Sequence, residues 1–301
     1  MIDAGALEPD GGFVLNELFT SLELNFLDHL ILTHYDADHM GGLVTIHQSE
    51  SLLWDENCGI KNYFPINSVV DLGFSNKETL SVSQYLDCME KNEVYLSDDR
   101  VVIHSASDVG HAINLGGGLS AVVVAGNGYV WGQDKRVAGV NTDNEKSLAV
   151  LLSDAKGNDF LILGDLTGTS FGQEDALMEK ALGAALIQEN VQVEMLRVGH
   201  HGSATSSTQK FLSNLSPLAS FVSVGENSFG HPHCGAVTNL AESSDVVFYT
   251  GNIAQGLECE VVGEVYDDLG TIHINVKEAG FMVENNIDNI FFKEKIKIDF
   301  R

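Results

Sequence analysis

Residues 30 to 43 read LILTHYDADHMGGL, an apolar run that ends in two histidines and two aspartates within six positions. The run has the length and continuous hydrophobicity of a strand covered on both faces. His34, Asp36, Asp38 and His39 therefore fall just past a strand end, where α/β folds place their chemistry. Acidic groups this dense repel one another unless a cation sits among them. Two imidazoles and two carboxylates suit a first-row divalent ion, Zn²⁺ or Mn²⁺, and are too rich in nitrogen for a calcium loop.

One stretch cannot close two coordination shells, so partners must come from other strand ends. The same unit of apolar run, polar turn and helical stretch recurs along the chain. SLAVLLS and FLIL lead into GDLTG, offering Asp165; VEMLRV leads into GHHGSATSS, offering His200 and His201; ASFVSV leads into GENSFGHP, offering His231. EDALMEKALGAALI, 174 to 187, SSTQKFLSNL and AVTNLAESS carry helical spacing, with serines placed to cap the second. Residues 100 to 130 are β-rich and broken by glycines, as in a meander. The expected architecture is α/β, sheet stacked on sheet with helices outside.

Composition narrows the partners. Sixteen basic against 43 acidic side chains give a formal charge of −27, which repels a nucleic-acid backbone at long range. No run of about 18 apolar residues offers a membrane segment, and MIDAGALEPDGG lacks the regions of a signal peptide, so a cytoplasmic location is expected. Cys58, Cys88, Cys234 and Cys259 have no CxxC spacing and read as buried thiols rather than a disulfide framework. In the tail, Lys293, Lys295 and Lys297 alternate as on a lysine-guarded edge strand. His47, His104 and His273 have no supporting neighbours, and His111 reads as a turn residue.

The ordered set HYDADHMGG, FLILGDLTG, LRVGHHGSATSS and FVSVGENSFGHP, with NTDNEKSLAVLL before the Gly-Asp turn, resembles the metallo-β-lactamase fold hydrolases, and within them the soluble domain of ComEC-type competence proteins. The likeness covers roughly residues 1 to 280. It implies one hydrolase domain over 1–301, a four-layer αββα sandwich, with 281–301 as a C-terminal extension containing a strand. MIDAG looks like the family's early Asp-x-Gly turn, which would set Asp3 beside the metal centre. Family members begin with a β-hairpin ahead of that turn, so a first sheet short of this hairpin is expected.

The resemblance also implies a division of labour for two divalent ions, Zn²⁺ or Mn²⁺. His34 and Asp36 would hold one, and Asp38, His39 and His200 the other. Asp165 would bridge them, and Asp38 would orient a metal-bound hydroxide. His201 stands as the alternative ligand or as proton donor to the leaving group. Ser203, Ser206 and Ser207 read either as anion-binding hydroxyls or as simple caps, and His231 as a substrate contact or a solvent-facing loop residue. Two departures weaken the second ion: Asp36 stands where many relatives have histidine, and no histidine precedes the Gly-Asp turn, leaving Asp143 or Asn144 as stand-ins. The implied reaction is phosphodiester hydrolysis by a nuclease of the ComEC type, with single-stranded DNA the substrate the resemblance suggests and the charge disfavouring DNA. Hydrolysis of a small phosphoester, ester or lactone is the alternative, and a non-catalytic binding module with a degenerate metal site is the second alternative.

Overall fold

The computed structural model describes residues 1–6, 11–44, 66–92, 100–168, 178–251, 263–267, 269, 271–277, 280–286 and 296–299. Three sheets organise them. A small parallel sheet runs β1 (Leu27–Ile31), β2 (Ile66–Asp71), β3 (Arg100–Val102). The large sheet begins antiparallel with β4 (Ala112–Gly116), β5 (Leu119–Gly126), β6 (Tyr129–Val130), β7 (Ala149–Ser153) and β8 (Asp159–Ile162). It continues parallel with β9 (Val193–Arg197), β10 (Ala219–Val222), β11 (Val246–Tyr249) and β12 (Glu264–Tyr266). A third, antiparallel sheet holds β13 (Thr271–Lys277), β14 (Gly280–Asn286) and β15 (Ile296–Asp299). The helices are α1 (Gly11–Ser21), α2 (Ala37–Met40), α3 (Leu80–Asn92), α4 (Asp143–Lys146), α5 (Met178–Gln188), α6 (Gln209–Leu215) and α7 (Cys234–Ser243).

Strand periodicity divides the large sheet between two cores. Successive side chains point to opposite faces. Ala121, Val123 and Val150 accordingly join the cluster formed with α3 and the small sheet, through Leu30, Val69, Tyr85 and Met89. Val124, Ala149, Leu151 and Leu161 face the other way, onto Leu182 and Leu186 of α5, Phe211 and Leu212 of α6 and Val237 of α7. Farther along, Met195, Phe221 and Phe248 meet Phe281 and Val283 of the third sheet. The two small sheets thus share one face of the large sheet, helices cover the other, and α3 packs in the small sheet's cluster. This layering is consistent with a metallo-β-lactamase fold sandwich.

The expected apolar runs all form strands. β1, β7, β8, β9 and β10 occupy the stretches read as such; of the expected 100–130 meander, β4 to β6 are antiparallel neighbours in the large sheet, whereas β3 pairs parallel with β2 in the small one. Gly116, Gly117 and Gly118 take the turn between β4 and β5 at φ of 79°, 60° and 84°, which side chains resist. Among the expected helices, α5 is described from Met178; 174–177 lie outside the described residues, as do Lys293, Lys295, His47, Cys58 and Cys259. β15 does lie on a sheet edge. At the other end, Ile2 makes a single parallel bridge to Ile31, beside β1.

Two expectations need correcting. Cys88 and Cys234 are disulfide-bonded, not free thiols; pairing of cysteines far apart in sequence leaves no local spacing to read. The serines do not cap α6 either. Its N-cap is Thr208, which makes no side-chain cap. Fully buried Glu179 instead accepts from the amides of Ser207 (2.6 Å) and Thr208 (2.9 Å) and from the Thr208 hydroxyl (2.7 Å). A carboxylate from α5 thus occupies the donors that an external anion would need.

A second buried charge ties the small sheet to α3. Asp71, with no solvent exposure, is gripped by Nε and Nη2 of Arg100 at 2.8–3.2 Å and by the Tyr85 hydroxyl at 2.8 Å. Removing one partner strands a charge in low dielectric. Arg100→Met should therefore lower the unfolding free energy in urea by about 3–5 kcal/mol, and adding Asp71→Asn should recover part of it; an unchanged midpoint in the single variant would contradict this.

Candidate metal centre

Past β1 the chain turns at Thr33 and His34 into α2, whose N-cap, Asp36, makes no side-chain capping bond. Its carboxylate is therefore not spent on the helix start, and pairs with Lys77 instead. Asp38 and His39 follow on the helix, and the His34 and His39 rings stand 4.2 Å apart, centroid to centroid. Both rings are oriented from behind. His39 Nδ1 donates to Asp3 Oδ2 at 2.7 Å. The Thr33 hydroxyl donates to the same carboxylate at 2.9 Å and lies 3.2 Å from His34 Nδ1, while the Thr33 amide donates to Asp3 Oδ1 at 2.8 Å. Such outer contacts fix the tautomer and leave Nε2 free for an ion.

Asp165 arrives from the end of β8, and its approach depends on Gly164. A Cβ there would lie 2.7 Å from the Thr33 side chain, and φ is 53°. The buried Asp165 carboxylate then faces two ways. Oδ1 lies 3.0 Å from His39 Nε2 and 3.5 Å from His201 Nε2; Oδ2 lies 3.8 Å from His34 Nε2 and 3.9 Å from His200 Nε2. Gly199 lets the third crossing in, since a Cβ there would meet the Leu166 carbonyl at 2.4 Å.

His200 and His201 follow with left-handed backbones, φ 45° and 52°. Side chains disfavour this region, and such strain gathers at functional sites. Its consequence is that two neighbouring imidazoles reach the same carboxylate. His201 Nδ1 donates to the Ser223 carbonyl at 2.5 Å and its Nε2 faces Asp38 Oδ2 at 3.1 Å. His200 Nε2 accepts from Asn144 Nδ2 at 3.0 Å.

The donor set fits a divalent ion. His34 Nε2, His39 Nε2 and Asp165 Oδ1 are buried without a hydrogen-bond partner, despite the close approach of the last two. Buried polar atoms are otherwise nearly always paired. Asp38, His39, Asp165 and His201 each offer an atom within 4.8 Å of the others. Electrostatics agree. Burial pulls the His39 imidazole down, but Asp3 and Asp165 outweigh it and raise its pKa to about 10. Burial and the neighbouring His39 lower His34 to about 4. Burial opposes ionisation of Asp165, yet His39, His34 and His201 hold it well below the carboxylate range. Asp38, against its own partial burial, falls to about 2 through the His201 contact.

The structure brings together Asp3, His34, Asp36, Asp38, His39, Asp165, His200 and His201, and places His231 beside them, its ring 5.1 Å from His200. Ser203 and Ser206 lie elsewhere: both are buried, the Ser203 hydroxyl contacts those of Thr205 and Ser206, and the Ser206 hydroxyl donates to the Ser203 carbonyl. Sequence reading missed Lys77, whose ammonium pairs with Asp36, and Arg197, which donates to the Gly164 and Val198 carbonyls. Lys77 carries no local signal; Arg197 sits in LRVGHHGS, where the adjacent histidines are the stronger signal. A cleft of about 970 Å³ opens over the centre, lined by Asp36, Asp38, Asp165, His200, His201 and His231 among others.

No family model matches the chain. It is similar to ComE operon protein 3 of Bacillus subtilis strain 168, 25% identical over 225 residues that make up 74% of this chain and 23% of that protein. It is also similar to Recombination protein 2 of Haemophilus influenzae, 29% identical over 99 residues, 33% of this chain and 11% of that protein. The chain resembles the ComEC-type competence proteins. It spans under a quarter of the length of these curated relatives. Among solved structures, the metallo-beta-lactamase fold protein YhfI from Bacillus subtilis overlaps 88% of this chain and 81% of its own, at 11% identity and a TM-score of 0.39, too loose an overlap to build on. Among the described residues, no helix is long and apolar enough to cross a membrane.

Two outcomes are expected. Asp3→Asn should weaken Zn²⁺ binding about 10–100-fold, the usual cost of losing an outer-shell partner, measured by competition with a chromophoric chelator. Because His39 carries a proton below about pH 10, an ion must displace it. Affinity should then rise by about tenfold per pH unit from this proton alone near neutrality, and calorimetry in buffers of different ionisation enthalpy should show proton release.

Proposed function

We propose that this chain is a metal-dependent hydrolase that cleaves phosphodiester bonds. The observation that carries the reading is Asp165, a buried carboxylate whose two oxygens each face two imidazole nitrogens. Oδ1 with Asp38, His39 and His201 makes the tighter site. Oδ2 with His34, Asp36 and His200 makes the looser one, where Asn144 and Lys77 already engage two of the members. This pairs His201, rather than His200, with Asp38 and His39. A bound divalent ion supplies Lewis acidity and lowers the pKa of water. The residues do the rest: Asp38 accepts a hydrogen bond from the attacking water, Asp3 and Thr33 keep the imidazoles aimed, and His231 stands on the cleft side to pass a proton to the leaving oxygen.

The similarity to the ComEC-type competence proteins, one of them named Recombination protein 2, supports a phosphodiester over a carboxylic ester. Two disulfide-bonded cysteines favour an oxidising compartment over the cytoplasm. The binding-module alternative draws on Asn144, which already donates to His200 in the looser site.

Protein supplied with Zn²⁺ or Mn²⁺ should hydrolyse bis(p-nitrophenyl) phosphate, and Asp165→Ala should lose about 10³-fold or more, the scale of removing a principal transition-state contact. Cleavage of a lactone or nitrophenyl ester but of no phosphodiester would transfer the assignment to the alternative. Absence of both metal and cleavage would support the binding module.

A further inference from the structure

The loop between β10 and α7 carries a ring that the catalytic reading does not use. Asn227 knits this loop together: its side-chain nitrogen donates to the Gly225 and His231 carbonyls at 2.9 and 2.8 Å, and its side-chain oxygen accepts from the Phe229 and His231 amides at 3.1 Å each. The amide of His233 donates to the Gly202 carbonyl at 2.8 Å, anchoring the far end. On this fixed loop Phe229 is 81% exposed, the most exposed large apolar side chain among the described residues. Its ring lies 6.0 Å from that of His231, nearly parallel at 23°, and His231 in turn meets His200 edge-on. Phe229 and His231 both line the cleft over Asp165. An aromatic face held out by four hydrogen bonds is ready for a flat partner and loses little freedom on binding one.

Charge limits what that partner relies on. The charged groups lining the cleft among the described residues are Asp36, Asp38, Asp165 and Glu226, with no lysine or arginine, and the whole chain carries −27. A polyanionic strand finds no basic track here, so its binding must come from the metal centre and from its bases. We infer that Phe229, backed by His231, is a stacking platform for the unpaired nucleobase next to the phosphodiester at the Asp165 centre. The inference rests on the phosphodiesterase reading and specifies it. Paired bases in a duplex offer no free face to the ring, so the platform selects unpaired ends and single strands.

The test uses fluorescence anisotropy with a labelled hexathymidylate and a labelled hexamer of abasic residues, both with phosphorothioate linkages, on the metal-loaded protein. Wild type should bind the thymidylate at least about five-fold more tightly, the lower bound for one stacked base. Phe229→Ala should erase that preference and Phe229→Trp should keep it. Thymidylate affinity should also fall only weakly with salt, with a logarithmic slope below about 1. Equal binding of the two hexamers by wild type, no binding of either, or a preference that survives Phe229→Ala would each overturn the platform. Cleavage of methyl p-nitrophenyl phosphate, which has no base, reports the reaction separately. Turnover of that ester without base preference removes the platform alone; base preference with no diester cleaved removes the reaction alone.

Discussion

A buried carboxylate facing four imidazole nitrogens is the constraint around which this structure is arranged. Asp165 is almost without solvent, and a charge there is tolerable only with compensation from close range. The histidines that supply it come from two other chain crossings, the turn after β1 and the turn after β9. Neither can approach without a residue lacking a side chain, Gly164 against Thr33 in one case and Gly199 against the Leu166 carbonyl in the other. The sandwich therefore serves to bring three strand ends to one point and to exclude water behind them.

Rigidity behind the centre is distributed over a few buried polar groups. Asp3 aligns His39 directly and His34 through the Thr33 hydroxyl, so both rings of the first crossing answer to one carboxylate. Glu179 takes the free amides at the start of α6 and so fixes the segment that follows His200 and His201. Strain concentrates in those two histidines, whose consecutive left-handed backbones are held by the Ser203 amide on the His200 carbonyl and by the His201–Ser223 contact. On the solvent side the arrangement reverses: Asn227 stiffens a loop so that Phe229 stays in water rather than packing away.

Much of this was legible in the chain. The apolar runs before HYDADH, GDLTG, GHHG and GENSFGHP announced strands, and the polar clusters after them announced one site, because a strand end exposes whatever follows it. What stayed hidden depends on geometry that one-dimensional spacing does not carry. Two adjacent histidines normally diverge, and nothing in GHHG reveals the left-handed turn that sends both inward. Ser203 and Ser206 sit in a stretch that reads as an anion site until Glu179, 28 residues before Ser207, is seen filling the amides. The same distance effect hid the bonds at Cys88 and Cys234, and Lys77 reaches Asp36 from 41 residues away.

The most direct measurement is anomalous X-ray diffraction at the zinc edge from crystals of the protein grown with Zn²⁺. The account predicts a strong peak about 2 Å from donor atoms of Asp38, His39, Asp165 and His201, and a weaker one on the opposite side of Asp165 among His34, Asp36 and His200. Zinc bound elsewhere, with no peak within bonding distance of the Asp165 carboxylate, would contradict it.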